Sequence, residues 1–131
     1  MSEPIIYVDN AEIREGQFEA LKAAMKELAQ FVEANETQIY AYRVYFNERR
    51  TRMTVIHIHP DTEALEFHMK VAGPLFPKFA GFVKLLSIDL YGVPSGYIVE
   101  QLRQKAEALG GGTVKMHSLH AGFARFRAEH R

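Results

Sequence analysis

The chain contains no cysteine and no tryptophan among its 131 residues. The lack of cysteine excludes disulfide bonds, a thiolate metal site and a cysteine nucleophile. An excess of charge of one sign is also missing, since 16 basic and 16 acidic side chains cancel. Because electrostatic binding of nucleic acid needs a local excess of Lys and Arg, we expect no nucleic-acid partner.

Long hydrophobic runs are absent too. The first residues, Met1 to Pro4, lack the basic start and the apolar core of a signal peptide. No stretch approaches the length of a membrane-spanning helix. The sequence therefore predicts a cytoplasmic protein with no membrane partner, and its length suits one domain with a core of its own.

Hydrophobic periodicity predicts four strands and two helices in a domain covering residues 1–95. Strands are expected at residues 5–8, 37–47, 53–59 and 85–91. The first helix has apolar residues at spacings of three and four: Phe18, Leu21, Met25, Leu28 and Val32. The second helix covers residues 61–75 and begins at an Asp61 or Thr62 cap. This β-α-β-β-α-β order predicts an α+β, ferredoxin-like fold.

Residues 96–131 are predicted to be a C-terminal extension of the same domain. A helix is expected at residues 97–109 and is stopped by three glycines at 110–112. Residues 113–126 look extended. We expect the extension to pack across a partner subunit, so that its deletion weakens association more than it unfolds residues 1–95.

The predicted strands are apolar on both faces. The second strand carries Tyr42 and Val44 on one face and Ile39 and Ala41 on the other. Two helices can cover only one face of a four-stranded sheet. Because a large apolar face in water is unfavourable, we expect a homodimer that packs sheet to sheet.

His68 is the first candidate catalytic residue. It lies near the centre of an apolar arc on the second helix that includes Leu65, Val71 and Ala72. A buried imidazole must find a partner or lose its proton. His68 is therefore either a structural residue bonded to a backbone carbonyl or the base of a pocket.

Six further residues are predicted to bind a substrate in that pocket. Two tyrosines and an arginine on the second strand could donate to a substrate oxygen, and three phenylalanines could enclose an aromatic ring. They are Tyr40, Tyr42, Arg43, Phe67, Phe76 and Phe79.

His57 and His59 form a His-x-His pair on one face of the third strand. With His68 they could make a three-histidine metal site. Ile56 and Ile58, however, are the more apolar pair, so we expect them to face the helices and the histidines to point away from His68. On that basis no metal site is predicted.

With these elements placed, the sequence resembles the antibiotic biosynthesis monooxygenase (quinol monooxygenase-like) family of the dimeric α/β-barrel superfamily. The resemblance covers residues 5–91. It rests on the element order, on Gly16 before the first helix, and on the acidic, then apolar stretch that leads from His59 to His68.

The resemblance implies two ferredoxin-like halves that form a barrel, and cofactor-independent oxygenation of a small aromatic phenol or quinol. His68 would be the base, no cofactor is expected, and the partners would be a second copy and a small aromatic ligand. The lack of tryptophan separates the chain from the haem-degrading relatives. Two alternatives remain open: a non-catalytic small-ligand-binding or assembly module, and an isomerase acting on an enolisable carbonyl compound.

Overall fold

The computed structural model describes residues 3–126. These residues form a single mixed β-sheet and three α-helices. The elements follow one another in this order: β1 (Ile5–Ile13), α1 (Phe18–Asn35), β2 (Ala41–Phe46), β3 (Arg52–His59), α2 (Thr62–Ala72), two short 3₁₀ helices (Gly73–Leu75 and Pro77–Gly81), β4 (Val83–Tyr91), α3 (Gly96–Ala108) and β5 (Thr113–His117).

The sheet has the strand order β2-β3-β1-β4-β5. The first four strands are antiparallel neighbours, as in a ferredoxin-like fold, and β5 lies parallel to β4. The predicted α+β, ferredoxin-like architecture is confirmed. The sheet has a fifth strand, which comes from the C-terminal extension.

Two strand boundaries differ from the sequence prediction by more than two residues. β1 continues to Ile13, because Asp9 keeps up the alternation of buried residues and the polar Asn10 and Glu12 lie on the other face of the strand. β2 begins at Ala41 rather than at residue 37, since the residues before it turn. The longer β1 matters for function, because it brings a buried carboxylate into the sheet.

The helices cover one face of the sheet and define the core. Helix α1 buries four of the five residues that its periodicity singled out, Leu21, Met25, Leu28 and Val32, and leaves Phe18 partly buried. Helix α2 is capped by Asp61, whose carboxylate accepts from the backbone N–H of Ala64 at 2.8 Å. It ends at Ala72, and the chain continues as 3₁₀ turns around Pro74 and Pro77, since proline cannot supply the helical N–H bond.

The C-terminal extension packs on its own chain, so the expectation that it crosses to a partner is wrong for α3 and β5. Ile98, Leu102 and Ala106 on α3 are buried in the same core as the sheet. At Gly112 a Cβ would lie 2.7 Å from the Leu85 carbonyl oxygen, so only glycine allows this close approach to β4. Of the stretch predicted to be extended, only residues 113–117 form a strand.

The other face of the sheet carries no helix among residues 3–126. Its central strands present Ile6, Val8, Ile56 and Ile58, which are half-buried. Further out, Tyr45, Leu86 and Tyr91 are exposed. No helix in this range is long and apolar enough to cross a membrane.

Because α3 belongs to the core, Leu102→Ala should destabilise the isolated chain. Removing a fully buried leucine side chain leaves a cavity, so the free energy of unfolding should fall by about 2–5 kcal/mol in urea titrations. The matched control is Leu119→Ala, at an exposed position, which should change it by less than about 0.5 kcal/mol. Equal stability of the two variants would contradict this placement of α3.

Candidate functional site

Three histidines meet beneath the helices. His57 and His59 project from β3, and His68 projects from α2 towards them; all three are fully buried. The ring centroids are 5.0 Å apart for His57 and His68, 5.3 Å for His59 and His68, and 6.0 Å for His57 and His59. The cluster therefore has three imidazoles around one point.

This arrangement corrects the expectation that His57 and His59 point away from His68. The residues of β3 that face the helices are Met53, Val55, His57 and His59. Ile56 and Ile58 lie on the opposite face, where apolar side chains are also abundant. Since both faces of the sheet are apolar, hydrophobicity alone did not indicate which set faces the helices.

Glu36 is the partner of His68. Its carboxylate follows the end of α1, is only 3% exposed, and places its oxygens 2.8 and 2.9 Å from Nδ1 of His68. Nδ1–H therefore donates to the carboxylate, and Nε2 of His68 is the nitrogen left for chemistry. Sequence reasoning missed Glu36, because it follows a polar helix end and carries no periodic signal.

A second buried carboxylate, Asp9 on β1, holds His57. Nε2–H of His57 donates to Asp9 at 3.2 Å, and Nζ of Lys105 on α3 donates to the same oxygen at 3.0 Å. Lys105 also donates to the hydroxyl of Tyr7, whose ring stacks on His57 at 4.1 Å. The alternation of Ile5, Tyr7 and Asp9 could have indicated that Asp9 is buried.

Burial and charge set the protonation of this cluster. Burial alone would raise the pKa of Asp9, but Lys105 and then His57 outweigh it and lower the pKa to about 2. Burial lowers the pKa of His57 to about 3 and, together with the neighbouring histidines, that of His59 to about 2. An ionised Asp9 therefore lies beside two neutral imidazoles at neutral pH.

Several polar atoms of the cluster have no hydrogen-bond partner among the described residues. They are Nδ1 of His57, both ring nitrogens of His59, Nε2 of His68 and Oδ1 of Asp9. Leaving such an atom unpaired in a protein interior costs on the order of 1–3 kcal/mol. The free nitrogens of all three rings belong to one cluster, which is typical of a binding site rather than of a packed core.

A small cavity adjoins the cluster. Its polar lining comes from Asp9, Tyr42 and Lys105, and Phe76 and Phe79 contribute aromatic walls. The cavity measures about 40 Å³, which is room for one or two water molecules. His68 does not line the cavity. The rings of Tyr42 and Phe76 do line it, and the centroid of each lies 6.0 Å from the centroid of the His68 ring.

Three of the six predicted substrate-binding residues, Tyr42, Phe76 and Phe79, thus lie at this cavity. The other three lie elsewhere, for reasons of geometry. Tyr40 precedes β2 and packs near the ring of Phe126.

Arg43 points to the opposite face of β2 from Tyr42, and its guanidinium lies 3.5 Å from the hydroxyl of Tyr45. Phe67 is 46% exposed, because the residue next to His68 points about 100° away around the helix.

Comparison with known proteins gives the fold. No family model and no curated protein matches the sequence. MupZ from Pseudomonas fluorescens has a similar structure, with 18% identity over 95% of this chain and 96% of MupZ and a TM-score of 0.73. SnoaB from Streptomyces nogalater, described as a cofactor-independent oxygenase, matches with 11% identity over 72% of this chain and 96% of SnoaB and a TM-score of 0.59.

A protein from Bacteroides thetaiotaomicron also has a similar structure, with 19% identity over 67% of this chain and 85% of the Bacteroides chain and a TM-score of 0.55. Its name assigns it provisionally to the antibiotic biosynthesis monooxygenases. These proteins share the ferredoxin-like α+β fold of this chain. Both SnoaB and the Bacteroides protein leave more than a quarter of this chain without a counterpart, whereas MupZ matches nearly all of it.

The buried histidines should make stability depend on pH. Their pKa values in the fold, about 3 and about 2, lie below the 6.5 of an exposed histidine. The unfolded chain therefore binds protons that the fold does not, and stability falls as the pH drops below about 6.5, by about 1.4 kcal/mol per pH unit for each proton. Asp9 adds to the loss of stability as the pH falls from 3.8 towards 2, because its carboxylate is protonated in the unfolded chain before it is protonated in the fold.

Urea unfolding from pH 7.5 to pH 4 measures this dependence. The exposed His120 offers a control, since His120→Gln should reproduce the wild-type profile. A free energy of unfolding that stays constant from pH 7.5 to pH 4 would contradict the burial of neutral histidines.

Proposed function

We propose that the protein is a cofactor-independent monooxygenase that acts on a small aromatic phenol or quinol, with His68 as the base. The observation that carries the proposal is the buried pair of Glu36 and His68. A carboxylate fixed on Nδ1 orients the ring and stabilises the imidazolium that forms when Nε2 takes a proton. The fold shared with SnoaB supports the reaction class.

The reaction needs a base and a dry site. Nε2 of His68 takes the proton of the substrate hydroxyl, and the resulting anion gives its electrons to dioxygen. The adduct is a hydroperoxide on a ring carbon, and loss of water leaves a carbonyl there. One oxygen atom enters the substrate, and the other leaves as water with two hydrogens from the substrate, so atoms and electrons balance.

Tyr42 and Lys105 supply hydrogen-bond donors at the cavity for the developing anion. Burial, with Asp9 and Glu36 nearby, raises the pKa of Tyr42 well above its usual value, so its hydroxyl stays protonated. The ammonium of Lys105 reaches the same cavity. Such donors stabilise an oxyanion strongly where water is excluded.

Entry of an aromatic ring requires the cavity to open. Phe76 and Phe79 belong to the short 3₁₀ turns at residues 73–81, between α2 and β4. We infer that these two side chains swing outward when substrate binds. This movement would let the substrate reach His68.

His68→Gln should lower the turnover of a phenolic substrate by roughly a hundredfold or more, since that is the scale of a positioned base. Oxygen uptake with hydroquinones, naphthols and anthrones measures it, and His120→Gln is the control with an unchanged rate. Rates are corrected for the folded fraction from thermal melts. Wild-type turnover by folded His68→Gln would remove His68 from the mechanism.

A non-catalytic ligand-binding module is the second candidate, favoured by the small size of the cavity and by the absence of His68 from its lining. Such a module would show no oxygen uptake with any of these compounds, while one of them would raise the melting temperature.

We also propose that the apolar sheet face packs against a second copy of the chain. Ile56 lies in its central region, and Ile56→Glu should therefore give a folded monomer, whereas the wild type should have twice the mass of one chain in light scattering. Phe67→Glu, an equally polar change at an exposed site on the helical side, should stay dimeric. A wild-type monomer at micromolar concentration overturns this proposal.

A further inference from the structure

We propose that His57, His59 and His68 form a binding site for a divalent first-row metal ion, with Zn²⁺ as the simplest occupant. The inference goes beyond the proposed function, since Nε2 of His68 cannot accept a substrate proton while it binds a metal. It rests on the geometry of the three rings and on the carboxylates behind two of them.

The spacing of the rings suits one ion. One ligand nitrogen from each histidine can be chosen so that all three lie within 4.8 Å of one another. Zn–N bonds of about 2.0–2.1 Å in a tetrahedral site put bound nitrogens roughly 3.4 Å apart and ring centroids roughly 5 Å apart. The observed centroid distances of 5.0, 5.3 and 6.0 Å approach that geometry, and the ligand nitrogens, which lie within 4.8 Å of one another, would have to move closer by up to about 1.4 Å.

The hydrogen bonds leave the required lone pairs free. Asp9 accepts a hydrogen bond from Nε2–H of His57, so the lone pair of that ring is on Nδ1. Glu36 accepts a hydrogen bond from Nδ1–H of His68, so the lone pair of that ring is on Nε2. Metal-binding histidines characteristically donate their other N–H to a carboxylate, which fixes the tautomer and makes the ligand nitrogen more basic.

His59 provides the most direct evidence. Both of its ring nitrogens are buried without a hydrogen-bond partner among residues 3–126, so no internal bond explains why an imidazole is there. A metal ion would satisfy one nitrogen of each ring at once.

The charges around the cluster favour a cation. Two carboxylates, Asp9 and Glu36, contact the histidines, and one ammonium, Lys105, is bonded to Asp9. The carboxylates therefore outnumber the ammonium by one beside the three imidazoles. Imidazole donors without thiolates suit Zn²⁺, Co²⁺, Ni²⁺ and Cu²⁺ rather than Mg²⁺ or Ca²⁺.

The test is metal binding by the full-length, metal-free protein with no substrate present. Titration with Zn²⁺ against a chromogenic chelator should give one tight site per chain. Co²⁺ should give the intense visible absorption of a tetrahedral nitrogen-bound ion, in contrast to the pale octahedral aqueous ion. If wild-type protein shows no saturable Zn²⁺ binding and leaves the Co²⁺ spectrum aqueous, the proposal is overturned.

His59→Ala is the most informative variant, because it removes a ligand without breaking a hydrogen bond to another residue. We expect it to weaken Zn²⁺ binding at least a hundredfold, and Glu36→Gln to weaken it 10–100-fold through the orientation of His68. His120→Ala, an exposed histidine, is the control and should bind as the wild type does. Folded His59→Ala protein with wild-type affinity and spectrum would overturn the proposal.

The two proposals for His68 can fail separately. Oxygen uptake is measured with EDTA present, and metal binding is measured without substrate. If both hold, Zn²⁺ should inhibit oxygen uptake in step with site occupancy, and EDTA should restore it.

Discussion

The buried hydrogen bond between Glu36 and His68 is the interaction on which the site depends. Glu36 is only 3% exposed, and its carboxylate is tolerated there because Nδ1–H of His68 donates a hydrogen bond to it at 2.8 Å. The pair connects the end of α1 to the middle of α2, so it also fixes how the two helices sit above the sheet. Because Nδ1 of His68 is taken by this bond, Nε2 is the nitrogen that remains free to accept a proton or to bind a metal ion.

The C-terminal extension contributes to this site as well as to the core. Lys105 on α3 bonds to Asp9 and lies 4.1 Å from the centroid of the Phe76 ring. It is the ammonium that lets Asp9 remain ionised under the helices, and Asp9 in turn orients His57. The extension therefore acts on the electrostatics of the cluster, which a domain ending near residue 95 could not do in the same way.

Much of the fold followed from hydrophobic periodicity, and the buried face of α1 is the clearest case, because one side of that helix meets solvent. The candidate site was predicted less well. His68 was singled out correctly as a buried imidazole, but the direction of His57 and His59 was wrong, since a sheet that is apolar on both faces does not reveal its inner side. Glu36 was missed altogether, because its partner lies 32 residues away in sequence.

The central claim is that carboxylates direct the histidine lone pairs towards a common point, and nitrogen NMR of the imidazole rings tests it most directly. In metal-free protein at about pH 8, long-range ¹⁵N–¹H correlation should show His68 protonated on Nδ1 and His57 protonated on Nε2, each as one fixed tautomer. Rings that exchange between tautomers, or that carry the proton on the opposite nitrogen, would contradict the account.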